Sequence, residues 1–288
     1  MNPIGIKKYL HGLYSRLVGL FNRGLESEYL QKGLKEFREG KYECAVFSFT
    51  KVLELNPKNE QAHYHRGLSR RILRDFDGAI KDYTKAIEKS ENNPAYFNSR
   101  GFAKYFVKDY SGAVEDYSVV LKRKPKDSIT YYNRGNAFLH LEKYSEAIKD
   151  FSAAIKIDRF FADAYFSRGL VKGYLKDING SLKDHTMAVS INPELTEAYL
   201  QLGEIKMKGG DYSGAIQDYS KAIELNPDFL QAYFNRGHAR RLIRDYRGAM
   251  SDYSKYIESD PKFGNASVTT IIKVLFSREL LQAKFQYK

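Results

Sequence analysis

The side chains best suited to chemistry are few in this sequence, and they are dispersed. Cysteine occurs once, at Cys44, so no internal disulfide can form, and a reducing, cytoplasmic compartment is the simplest setting. Six histidines are scattered along 288 residues, none in a Cys/His cluster with zinc spacing. No glycine-rich phosphate loop is present, and no nucleophile has a plausible base near it. These residues point away from an enzyme and imply no metal and no cofactor. What does recur is paired charge. Arg66, Arg100, Arg134, Arg168 and Arg236 share a 34-residue period, and Asp82, Asp116, Asp150, Asp184, Asp218 and Asp252 follow the same period. Lys32, Leu202 and Ser48 interrupt the two series. A planar guanidinium fork suits a partly buried carboxylate better than an ammonium does, so the pattern predicts a repeated ion pair. A row of phosphate-binding arginines is the alternative, and the matched aspartates argue against it.

The elements that position these charges follow from the same period. Gly33, Gly67, Gly101, Gly135, Gly169, Gly203 and Gly237 are each 34 residues apart. With these glycines at position 8, the first unit begins at Glu26 and the seventh ends at Phe263. Position 4 is then Tyr29, His63, Phe97, Tyr131, Tyr165, Tyr199 and Tyr233. Position 20 is Ala45, Ala79, Ala113, Ala147, Ser181, Ala215 and Ala249, and position 24 is Phe49, Tyr83, Tyr117, Phe151, His185, Tyr219 and Tyr253. Pro57, Pro125, Pro193, Pro227 and Pro261 stand at position 32, where a helix must end. Small residues at 8 and 20 let two helices cross closely, and rings at 4 and 24 fill the space around the crossing. Each unit reads as a helix A, a tight turn at positions 14 to 16 and a helix B. The pattern resembles the tetratricopeptide repeat family over about four-fifths of the chain.

The resemblance implies an all-α fold: a right-handed superhelical solenoid of seven helix-turn-helix repeats with N- and C-terminal capping helices. Residues 1–25 are expected to form an amphipathic basic helix, 26–263 the repeats, and 264–288 a C-terminal capping helix. In the first segment Ile6, Tyr9, Leu10, Leu13, Tyr14, Leu17, Val18 and Phe21 recur at helical spacing. Such a helix either packs on the open end of repeat one or lies on an anionic membrane through residues 4–23. No small-residue cleavage site follows it, and it is not read as a signal peptide. Repeat five departs most from the pattern, with Gly173, Ile178, Gly180, Ser181 and His185. Either the array tolerates drift there, or the repeat is a hinge or carries a ligand histidine.

In this family the arc of helix A left over from packing lines the concave surface. Here that arc holds Tyr64, Asn98, Phe102, Tyr105, Tyr132, Asn133, Asn136, His140, Phe166, Gln201, Asn235 and His238. Amides can donate to and accept from a peptide main chain, and aromatics add contact area at little entropic loss. The expected function is a scaffold holding a protein or peptide in this groove; for the aromatics, packing on the next helix A is the competing reading. Family members that grip a chaperone C-terminus use Lys or Arg at positions 2 and 6, which this sequence lacks, and that argues against a chaperone-tail partner. Of the formal charge of +12, +4 falls in residues 1–25 and +4 in residues 262–288. The array itself is nearly balanced, which disfavours nucleic acid.

Overall fold

A computed structural model describes residues 3–259. Among these the regular elements are fourteen helices and no strand: α1 (Pro3–Arg38), α2 (Tyr42–Leu55), α3 (Glu60–Ile72), α4 (Phe76–Ile87), α5 (Pro94–Phe106), α6 (Tyr110–Arg123), α7 (Ser128–His140), α8 (Tyr144–Ile157), α9 (Ala162–Tyr174), α10 (Ile178–Ile191), α11 (Thr196–Lys208), α12 (Tyr212–Leu225), α13 (Leu230–Leu242) and α14 (Tyr246–Ser259). Odd-numbered helices are the A helices and even-numbered ones the B helices of seven consecutive pairs. The chain divides into two compact units between Ile157 and Asp158. Within the first, each A helix packs on its own B helix, and α3, α5 and α7 also pack on the B helix before them and touch the previous A helix. In the second, α11 and α13 pack on α10 and α12, and α13 touches α11.

The turn between A and B has one design. Position 15 takes a positive φ in every repeat: Gly40 (75°), Arg74 (64°), Lys108 (65°), Glu142 (56°), Lys176 (62°), Gly210 (81°) and Arg244 (67°). The next backbone N–H then reaches back five residues, as from Asp75 to the Arg70 carbonyl (2.8 Å), a Schellman closure. In five repeats that next residue is an aspartate. Asp75, Asp109, Asp177, Asp211 and Asp245 each accept from the backbone N–H three residues on, at 2.9 Å, and so start helix B.

The crossing of A and B rests on a ring seated over a glycine. A methyl added at Gly67 would come within 2.7 Å of Tyr83 Cε1, and one at Gly135 within 2.7 Å of Phe151 Cε1. The alanines at position 20 are fully buried beside it. His185 holds this slot in repeat five. It is fully buried against Gly169 and Phe166, so it is a core ring and no ligand can reach it.

The repeated ion pair is present in all five repeats that carry both residues. Arg66 grips Asp82 with Nε (3.0 Å) and Nη2 (2.7 Å), and Arg134 grips Asp150 in the same way (2.7 and 2.8 Å). Arg100–Asp116, Arg168–Asp184 and Arg236–Asp252 repeat the fork. In four of these repeats the guanidinium also lies over the position-4 ring, from Phe97 (5.6 Å) to Tyr233 (5.5 Å). His63 replaces that ring in repeat two and bonds Asp82 at 3.2 Å. A second cation, unforeseen from sequence, stands at position 11. Arg70, Lys104, Lys172, Lys206 and Arg240 each reach the position-23 aspartate of their own repeat at 2.7–3.1 Å. Burial pushes the Asp82 carboxyl up, but bonds from His63 and Arg66 and the Arg66 and Arg70 charges outweigh it and hold it below the ordinary value. Asp184 is lowered likewise by Arg168 and Lys172 against its burial. Asp218 has Lys206 but no fork, because position 7 of its repeat is Leu202, and there burial, with a minor push from the Asp211 charge, outweighs Lys206 and raises the carboxyl.

The boundary expected at residue 25 is not a break in the chain. Residues 3–38 form one helix, about 54 Å long at 1.5 Å per residue, so residues 3–25 extend helix A of repeat one. A straight continuation cannot fold back over the repeat it belongs to, and Tyr14 (67%) and Phe21 (67%) are accordingly exposed rather than packed on it. Glu26 marks where the repeat begins, accepting from Asn56 and Asn59 at 2.8 Å each. The C-terminal capping helix expected over 264–288 lies outside the described residues.

Candidate partner-binding face

Successive A helices touch throughout the first unit, and α11 and α13 do so in the second, so the arc they turn away from their B helices forms a surface of its own. In the first unit its aromatics fall into two groups. Tyr64 and Tyr132 are half-buried and lean on the position-24 rings: Tyr64 on Tyr83 (5.9 Å), and also on Tyr96 (4.7 Å), and Tyr132 on Phe151 (5.9 Å). They belong to the packing as much as to the face. Phe102, Tyr105 and His140 instead tie neighbouring repeats together along the surface. Phe102 packs on Phe106 (4.7 Å), with the Arg71 guanidinium over its ring at 4.9 Å. His140 stacks on Tyr110 (4.5 Å, 5° between planes) and meets Tyr105 edge-on at 5.3 Å.

Between these rings lie the amides. Asn133 and Asn136 are half-exposed, one turn apart on α7, and neither hydrogen-bonds another group among the described residues. Asn98 differs, because its Oδ1 is sealed from solvent with no donor to meet it. Across positions 2, 5, 6, 9, 12 and 13 of the first four repeats no carboxylate occurs, and the only fixed charges are Arg38 and Arg71. The first unit thus offers a nearly neutral surface of rings and amides.

The second unit is different in kind. Phe166 and Phe234 pack on His185 (5.4 Å) and Tyr253 (5.8 Å), as Tyr64 and Tyr132 do on their own neighbours. Gln201, Asn235 and His238 come together around two adjoining cavities. One, of about 300 Å³, is lined by Leu170, Gly173, Tyr174, Ile178, Ser181, Gln201, Glu204, Ile205 and Lys208. The other, of about 220 Å³, is lined by Glu204, Met207, Lys208, Tyr219, Asn235 and His238. Glu204 and Lys208 are common to both. Asn235 donates to Glu204 at 3.3 Å. Glu204 and Lys208 stand at positions 9 and 13 of repeat six, on the same arc, and nothing in their spacing shows that they lie at the centre of a depression. Among the described residues no group of three or more His, Cys, Asp or Glu side chains could hold a metal, and no helix is long and apolar enough to cross a membrane.

Comparison with known proteins agrees with this architecture. Family models described as tetratricopeptide repeat match residues 30–94, 128–161 and 230–263, and one described as TPR repeat matches 203–240. Among solved structures, MamA is 25% identical, with 56% of this chain covering 94% of that one and a TM-score of 0.53. A tetratricopeptide repeat protein from Parabacteroides merdae is 18% identical, with coverages of 88% and 98% and a TM-score of 0.65. YrrB, titled a TPR protein with an unusual peptide-binding site, is 23% identical, with coverages of 67% and 98% and a TM-score of 0.54. No curated protein sequence matches the chain.

Proposed function

Because the chain belongs to the tetratricopeptide repeat family, we propose that it is a non-catalytic, cytoplasmic scaffold that holds an extended segment of a partner protein along its A-helix face. The observation that carries this reading is the pair Asn133 and Asn136. Two half-exposed amides with no hydrogen-bond partner among the described residues, set among Tyr132, Tyr105 and His140, can each donate to and accept from a peptide backbone while the rings cover its side chains. The absence of carboxylates across the first unit's face makes this recognition nearly independent of partner charge.

The test begins with partner identification by cross-linking to the intact chain, followed by affinity measurement. The double variant N133A/N136A should weaken binding roughly tenfold or more, since hydrogen bonds of this kind are worth about 1 kcal/mol each. Its thermal midpoint should barely move, because exposed substitutions usually change stability by within about 0.5 kcal/mol. Undiminished binding by this variant would reject the reading.

A second reading is favoured by one feature of α1. Tyr14, Leu20 (60%) and Phe21 are exposed on the helical extension, within a segment of +4 formal charge. Peripheral contact with an anionic membrane through residues 4–23 would use both properties. Co-sedimentation with phosphatidylserine vesicles, lost when those residues are deleted, tests it independently of the scaffold role.

A further inference from the structure

Repeat five carries glycine at position 12, where the other repeats carry Phe37, Arg71, Tyr105, Leu139, Met207 and Arg241. Gly173 is the penultimate residue of α9, where a glycine costs less than the roughly 1 kcal/mol it costs in a helix interior. In the structure this position opens the cavity of about 300 Å³ between α9 and α11. No crowding demands a glycine here. A methyl added at Gly173 would meet only Ser181 Oγ, at 3.4 Å, an ordinary contact, whereas a methyl at the position-8 Gly169 would press within 2.8 Å of His185 Cε1. One glycine is needed for the helix crossing, and the other leaves room for something outside the fold.

We propose that this cavity is an anchor pocket for one large apolar side chain of the bound partner. The proposal rests on the scaffold reading and assigns a chemistry to one subsite of it. One side of the cavity is apolar, formed by Leu170, Ile178 and Ile205 with Tyr174 at the edge, while Gln201, Glu204 and Lys208 line the other. Tyr174 and Ile178 remain 62% and 42% exposed, an apolar surface that a fold gains by covering. Ser181 does not make the floor polar, because its hydroxyl is already committed to the Gly169 carbonyl at 2.8 Å. The rim has the opposite character. Glu204 and Lys208 stand between this cavity and the next, and among the described residues neither has an ion-pair partner. A carboxylate and an ammonium side by side offer an acceptor for a backbone N–H and a donor for a backbone carbonyl. An extended peptide crossing that rim would place one side chain in the cavity and continue over Asn235. The cavity sits at the lower end of the size range of pockets that bind small molecules, which fits a single Leu, Ile, Met or Phe side chain.

Selection of short random peptides displayed against the full chain tests this. The wild type should enrich peptides in which one position is restricted to large apolar residues, and replacing that residue by Ala should weaken binding roughly 10- to 100-fold, the loss expected for an apolar anchor. G173L fills the cavity from within. It should abolish the apolar restriction and lower affinity for the selected peptides by a similar factor, while the thermal midpoint is kept or raised. If G173L lowers the midpoint instead, G173A carries the test: it must lower affinity for the anchor peptides more than for their Ala versions. Selected peptides that show no apolar restriction, or that bind the glycine variants unchanged, overturn the pocket. The scaffold reading survives that result if Q201A/N235A still weakens them. Selection of no peptide at all overturns both.

Discussion

His185 takes the slot that a phenyl or phenol ring fills in the other repeats, and it brings two ring nitrogens into a space that offers no partner for either. Burial holds its pKa down at about 4, with only a minor upward pull from Asp184. The folded protein therefore keeps it neutral, while the unfolded chain takes up a proton as pH falls below about 6.5. The sign follows: this contribution to stability is fully present above that value and is lost progressively between about 6.5 and 4, a total on the order of 3 kcal/mol. H185F should flatten the dependence and stabilise the protein by about 1–3 kcal/mol at neutral pH, because an unpaired buried polar group is removed. Urea midpoints at pH 7 and pH 5 check both effects, and an unchanged pH slope would show that the ring nitrogens have partners. Asp218 offers the complementary case. L202R would supply the missing fork, turn its carboxyl from raised to lowered, and add stability that is present above the ordinary aspartate range and lost as pH falls through it.

At the scale of the element, the turn between helices shows what sequence can carry and what it cannot. Glycines at position 8 and rings at position 24 were legible because one packing constraint, a ring over a bare backbone, admits few residue types. The left-handed residue at position 15 was not legible, because Gly, Arg, Lys and Glu all occupy it and the determinant is the backbone bond closing the helix. The paired aspartate and arginine were legible for the same reason as the rings. The second cation was missed because Arg and Lys share its position, and in repeat four Phe138 takes it. The groove was legible only as an arc. Gly173 read as a defect, since a missing side chain has no signature of its own, and only the surrounding helices show the space it leaves. A prediction follows for the turns. K108G and E142G should each stabilise the protein by about 1 kcal/mol, since a non-glycine residue at φ near 60° costs about that much. A lowered thermal midpoint in either variant would mean that the side chain contributes more than its backbone strain.

Across the array, stability depends on how strongly each repeat is tied to the next, because helix pairs touch only their neighbours. The ion pair supplies one such tie. In four of the five, while Nε and Nη2 grip the aspartate of the arginine's own repeat, Nη1 crosses to helix B of the repeat before. Arg66 reaches Thr50 (3.1 Å), Arg100 reaches Thr84 (3.2 Å), Arg134 reaches Ser118 (2.9 Å) and Arg236 reaches Ser220 (3.0 Å). The hydroxyls can accept because their own protons are given elsewhere: Thr50, Thr84 and Ser118 donate to the carbonyl four residues back in their helices. Each small hydroxyl thus links a local helix to a charge network in the following repeat. Removing it leaves the repeat's own fold intact and strips an acceptor from a partly buried guanidinium, at about 1 kcal/mol per site. The triple variant T50V/T84V/S118A should therefore lower the urea midpoint and also broaden the transition, with a smaller m-value, as the first four repeats begin to unfold independently. S181A is the control, since Ser181 bonds only within repeat five and its loss should not broaden the transition. If the triple variant shifts the midpoint without broadening, the arginines stabilise their own repeats alone, and cooperativity between repeats rests on the apolar contacts between successive helices.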